Sequence, residues 1–149
     1  MNMRTFLTVA TFVISSFVFG QNIHWLSLED ATKAVKANPK KQILFNIYTN
    51  WCGYCKKLDK ETFVDPTVVK YINENYIPVK FNAETKDMVS FLGINYTYIT
   101  AAKSNYLAYV LTQGRLSYPA TIIMNNKGET ERLILGYRSA KDFSSDIKI

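Results

Sequence analysis

Cys52 and Cys55 are the only cysteines in this chain of 149 residues, and Gly53 and Tyr54 separate them. Three chemistries compete for such a pair. Tetrahedral zinc needs four ligands. The one other Cys or His is His24, so no metal site is expected. Covalent haem attachment needs a His directly after the second Cys, and that residue is Lys56, so no cofactor is expected either. A structural staple is the remaining bland reading, but a loop this short stabilises by only about 2 kcal/mol, against ~4.7 for a 100-residue loop. A redox-active dithiol/disulfide is the better reading.

The flanking residues explain how such a pair would be positioned. The run Ile43-Leu44-Phe45-Asn46-Ile47-Tyr48, within residues 42–49, has the composition of a buried strand. A helix beginning at the cysteine motif would place Cys52 in its first turn. There the unpaired N–H groups and the macrodipole favour a thiolate. Lys56 and Lys57 either add positive charge or lie on a solvated face. Cys55, one turn inward, can attack a mixed disulfide formed at Cys52. Cys52 therefore reads as nucleophile and Cys55 as resolver.

Further along, strands alternate with helices. Ser27 to Asp30 has capping-box spacing before a helix that stops at Asn38-Pro39. Asp65-Pro66 starts another helix, with Asp as cap and Pro at the first helical position. Ile77 to Asn82 is the next strand, tolerating Pro78 only near its start. Residues 83–103 lack strong periodicity, although Met88, Phe91 and Leu92 fit one helical face. Ser104-Asn105 then caps a helix carrying Tyr106, Leu107, Val110 and Leu111, which stops at Gly114. Ala120 to Asn125 is a strand, Asn126-Lys127-Gly128 a turn, and Glu129 to Leu135 the returning strand. Ser139 caps a final helix. One α/β domain follows.

Composition narrows the function classes. With 48% hydrophobic and 20% charged residues the chain is a folding polypeptide. The net charge is +6, but the basic residues are dispersed, so no nucleic-acid partner is signalled. Arg4 precedes an uncharged segment, residues 5–22, whose apolar stretch Phe6 to Gly20 is shorter than the about 20 residues a spanning helix needs. Val18 and Gly20 suit cleavage before Gln21. Residues 1–20 are expected to be a signal peptide and 21–149 the mature domain. Uncleaved, residues 5–22 would anchor the chain to a membrane. Export places both cysteines in an oxidising compartment.

Ile43 to Lys56 resembles the active-site strand and motif of thioredoxins, and in particular of exported bacterial thioredoxin-like proteins with a Trp-Cys-Gly-x-Cys-Lys core. Lys80 in Val79-Lys80-Phe81-Asn82 falls on that family's next-strand lysine. Tyr118-Pro119-Ala120-Thr121 resembles its cis-proline loop, and Gly128 and Gly136 its hairpin glycines. The resemblance implies a thioredoxin fold: a central mixed sheet flanked by helices, a terminal hairpin plus helix, and here a helical insertion before the cis-proline loop. It also implies that Pro119 is cis and faces Cys52 across a substrate groove. Read alone, Pro119 could be an edge-strand proline. Trp51, Gly53, Tyr54, Tyr118 and Pro119 would form the groove.

This chain also departs from the family. The buried acid that often assists the resolving cysteine is Asn46 here, and an amide cannot act as a base near neutral pH. Resolution is expected to be slower unless Glu84, Asp59, Lys80 or water takes over. The alternative is a hydrogen-bonded buried amide with no catalytic part. Gly53-Tyr54 replaces the Gly-Pro of typical thioredoxins, which leaves redox direction open. Tyr96, Tyr98, Tyr106 and Tyr109 read more readily as core than as a partner surface.

The function expected is an exported, periplasmic thiol:disulfide oxidoreductase, reducing disulfide-containing envelope proteins as a monomer supplied by a membrane electron donor. A disulfide oxidase or isomerase, or a non-catalytic thioredoxin-like binding module, are the alternatives.

Overall fold

The computed structural model describes residues 22–148, so the expected signal peptide lies outside the described residues. A four-stranded mixed sheet forms the middle layer, in the order β2 (Tyr76–Asn82), β1 (Gln42–Tyr48), β7 (Ala120–Met124), β8 (Thr130–Leu135). β1 runs parallel to β2 and antiparallel to β7, and β7 pairs antiparallel with β8. As expected for a strand covered on both faces, β1 is buried at all five positions between its ends.

Strand alternation sends successive β1 side chains to opposite layers. Ile43, Phe45 and Ile47 join Ala31 and Val35 of α1 (Leu28–Ala37), and Leu107, Ala108 and Leu111 of α4 (Tyr106–Leu111). Leu44 points the other way. It packs with Leu58 of α2 (Gly53–Glu61), Val68, Val69 and Ile72 of α3 (Pro66–Asn75), and Phe143 of α5 (Ala140–Asp146). In that layer Tyr76 is buried, donates its hydroxyl to the Ile147 carbonyl and packs edge-on against Tyr71. Burial pushes the Tyr76 hydroxyl up to about 12.

Local signals set most helix starts. Ser27, Asp65 and Ser139 cap α1, α3 and α5 through their side chains. Asp65 accepts from both Thr67 and Val68 backbone N–H groups, with Pro66 entering the first turn. Asp65→Ala is expected to cost about 1 kcal/mol, read as a lower urea midpoint with an unchanged slope. Asp65→Asn should keep most of it. Pro78 is tolerated because β2 is an edge strand, and its carbonyl accepts the Leu26 N–H at 2.9 Å.

The segment before Pro119 is helical only in its second half. In place of the helical face expected for Met88, Phe91 and Leu92, two small ladders form. β3 (Val89–Phe91) pairs with β4 (Ile94–Tyr96), and β5 (Tyr98–Ile99) with β6 (Ser104–Asn105). Leu92 and Gly93 both have positive φ, 49° and 81°, which makes the two-residue turn of a tight hairpin rather than a helix. Phe91 is buried against Phe45, while Met88 is exposed. The helix capped by Asn105 does form, and the chain leaves it through Gln113 and Gly114, both at positive φ.

Candidate redox site

β1 delivers the chain to a tight turn in which the Cys52 N–H donates to the Thr49 carbonyl at 3.3 Å. Cys52 is the N-cap of α2 and is joined to Cys55 by a disulfide, with their Cα atoms 5.3 Å apart. Its Sγ accepts the Cys55 backbone N–H at 3.1 Å. A sulfur at this position is held by one of the helix's unpaired donors and by the positive end of its dipole, both of which favour the thiolate. Cys52 and Cys55 are 5% and 4% exposed, so helix position, rather than exposure, separates them.

The wall around the pair is aromatic. Trp51 and Tyr54 are about two-thirds exposed. The Tyr118–Pro119 peptide bond is cis, as the resemblance implied, and Pro119 is buried with its carbonyl accepting the Gly136 N–H. Tyr118 packs edge-on to Trp51, with ring centroids 6.2 Å apart, which brings the proline loop beside the cysteine motif. A Cβ on Gly53 would meet nothing within 4 Å, so this stretch of α2 is open to a close approach by another backbone.

Sequence reasoning missed two contacts that hold this wall. Trp51 Nε1 donates to Glu84 Oε1 at 3.0 Å, fixing an otherwise exposed indole. Burial raises the Tyr118 hydroxyl above its ordinary value, a hydrogen bond with Ser104 lowers it, and the nearby Glu84 charge raises it again. Ser104 is fully buried and donates to the Ala83 carbonyl. The segment between β2 and α4 thus buttresses the groove. Neither contact has a local sequence signature, because each joins residues brought together only by the fold.

Beneath α2, register places Asn46 beside Lys80 on β2 and Thr121 on β7. Registered partners share a sheet face. Lys80 Nζ lies 2.7 Å from both oxygens of Asp59, which sits one turn after Cys55 on α2, and also lies over the Tyr48 and Trp25 rings. Asn46 is 1% exposed, and its Nδ2 has no hydrogen-bond partner among the described residues. The hydrogen-bonded amide expected here is therefore incomplete. Lys56 is exposed, and Lys57 turns to Glu61 and the Tyr137 ring. Of the four tyrosines expected in the core, Tyr96 packs against it and Tyr98 is half-buried, whereas Tyr106 and Tyr109 stack at 6.1 Å and are 46% and 40% exposed. Among the described residues, no group of three or more His, Cys, Asp or Glu could hold a metal ion, and no helix is long and apolar enough to cross a membrane.

Comparison with solved structures gives the same fold. An oxidoreductase named DsbH superimposes with a TM-score of 0.64 at 11% identity, covering 94% of this chain and 92% of that one. A putative disulphide-isomerase from Bacteroides thetaiotaomicron gives 0.62 at 23% identity, over 86% and 92%. The oxidised C-terminal domain of DsbD from Neisseria meningitidis gives 0.54 at 19%, over 78% and 86%. A model of the thioredoxin-like domain family matches residues 28–148. With that match across nearly all the described residues, the chain belongs to the thioredoxin-like domain family, and it carries a Cys-x-x-Cys disulfide at the head of α2.

Proposed function

We propose that this protein is an exported thiol:disulfide oxidoreductase that reduces disulfides in envelope proteins. The observation that carries the reading is Cys52 at the N-cap of α2, its sulfur on a backbone N–H, beside the cis-proline loop and between two exposed aromatic rings. In the reduced protein the Cys52 thiolate attacks one sulfur of a substrate disulfide. A mixed disulfide forms and the other substrate sulfur leaves as a thiolate. Cys55 then loses its proton and attacks the Cys52 sulfur. The Cys52–Cys55 bond forms, the second substrate sulfur leaves, and two electrons have passed to the substrate.

Trp51, Tyr54, Tyr118 and the open backbone at Gly53 would receive an extended segment around the target cysteine. The uncharged N-terminal segment supports export, with cleavage before Gln21 and a monomeric domain from residue 21 onward. A second exported protein or a membrane donor would return the electrons. The names of DsbH and of the DsbD domain are consistent with partners in disulfide chemistry.

The deciding measurement is the reduction potential of the Cys52–Cys55 pair, by equilibration with dithiothreitol and glutathione buffers. A value near −270 mV is expected for a reductase, whereas roughly −120 to −180 mV would make it an oxidase or isomerase. No reversible two-electron couple at all would leave a binding module.

A further inference from the structure

The β3 edge of the β3–β4 hairpin meets no further strand among the described residues. The turn at Leu92-Gly93 closes on the Phe91–Ile94 pair, so the alternation of an antiparallel ladder puts its hydrogen bonds at Phe91–Ile94 and Val89–Tyr96. The main-chain N–H and C=O of Ser90 therefore point away from β4, as do those of Met88 just before the strand. Leu92 shows where that edge faces. It is the next residue of the same parity, and its N–H donates to Thr32 Oγ1 of α1 at 3.3 Å.

A cleft of about 620 Å³ lies between the two elements, with Leu28, Thr32 and Lys36 on the helix side and Val89 and Ser90 on the strand side. Neighbouring strand residues send their side chains to opposite faces, so a space lined by both Val89 and Ser90 runs along the strand's edge. Beyond the ladder itself, no hydrogen bond reaches the main chain of Ser90 or Met88 among the described residues. A free edge is a template for another strand, and β3, Val89-Ser90-Phe91, carries no proline or charge to blunt it. Charge narrows what would fit. On the helix wall Lys33 is taken by Glu29 and Asp30, at 2.7 and 3.6 Å, whereas Lys36 has no ion pair among the described residues. A second folded copy is a poor occupant, because each β3 edge is flanked by its own α1. A single extended segment is thin enough to enter.

We propose that the α1–β3 cleft docks an extended acidic segment of a partner protein, which adds as a strand to the free edge of β3 and sets a carboxylate against Lys36. The main chain of Ser90 supplies the hydrogen bonds, and Leu28 and Val89 receive alternate apolar side chains of the segment. The proposal goes beyond the redox reading and does not depend on it, since none of these residues belongs to the groove around Cys52.

The probe is a fluorescein-labelled synthetic octapeptide of alternating Val and Asp, with one of alternating Val and Lys as its counterpart, each titrated into the purified protein. The Asp peptide is expected to bind on the order of tenfold more tightly than the Lys peptide, by an amount that shrinks as salt rises. Binding should also slow hydrogen exchange at the Ser90 amide. Ser90→Pro deletes the edge N–H at a position the ladder does not use, and should weaken the Asp peptide on the order of tenfold with little change in the urea midpoint. Lys36→Glu should remove the preference for the Asp peptide or reverse it. Should Ser90→Pro fail to fold, Lys36→Glu and exchange at Ser90 in the wild type decide. No binding of the Asp peptide at millimolar concentration, equal affinity for both peptides, or binding with Ser90 exchange unchanged would each overturn the proposal. So would self-association of the protein that Ser90→Pro abolishes, which would make a second copy the occupant.

Discussion

Cys55→Ser is expected to convert turnover into a single event, trapping substrate as a mixed disulfide on Cys52. The direction of attack follows from α2. Cys52 occupies the N-cap and has the backbone N–H of Cys55 on its sulfur, while Cys55 lies one turn inward on the buried face. A thiolate forms more readily at the former, so substrate sulfur should bond there first. Serine cannot displace the substrate, and reduction should stop at no more than one equivalent. Non-reducing gels and peptide mapping by mass spectrometry would show adducts on Cys52 alone. Cys52→Ser should form few adducts or none. Equal trapping on Cys55 in that variant would reverse the assigned roles, and unimpaired turnover by Cys55→Ser would remove the need for a resolver.

The largest expected loss of stability is at Phe45. Its side chain is fully buried on the α1/α4 side of β1, and its ring meets Phe91 edge-on at 5.2 Å. Phe45→Ala is expected to cost about 3–5 kcal/mol, a large part of the roughly 5–15 kcal/mol that holds a domain folded. Urea denaturation of the oxidised protein would read it as a lower midpoint. Because Phe91 ends β3, the same change also loosens the β3–β4 hairpin from the sheet. Phe91→Ala should reproduce a smaller part of the loss, since it leaves the β1 core filled. A cost below about 1 kcal/mol at Phe45 would mean that the surrounding side chains collapse into the space.

How far this architecture could be read in advance depended on how local its causes are. β1, the caps at Ser27, Asp65 and Ser139, and the terminal hairpin are written in short windows: an apolar run, an oxygen before a helix, a glycine at a turn. The β3–β4 hairpin was missed because its turn is Leu92-Gly93. Positive φ at both positions usually announces itself through Asn-Gly or Asp-Gly, and a leucine there looks like one more residue of a helical face. Tyr106 and Tyr109 were misplaced for a related reason. α4 buries Leu107, Ala108 and Leu111 instead, and six residues of helix have room for only one buried stripe.

By itself the sequence determined what chemistry was available: one cysteine pair at a spacing that admits a dithiol/disulfide, and an amide at the position where the resemblance implies a base. The tertiary structure decided what surrounds that chemistry. It pairs Lys80 with Asp59, ties Trp51 to Glu84, sets Tyr118 against both Trp51 and Ser104, and leaves Asn46 Nδ2 with no hydrogen-bond partner among the described residues. Each of these pairings spans a long stretch of chain, and each depends on strand register and on which face of the sheet a helix covers. A shift of one residue in register would send Asn46 to the opposite face. Short-range patterns specify the elements; only their packing specifies which side chains meet.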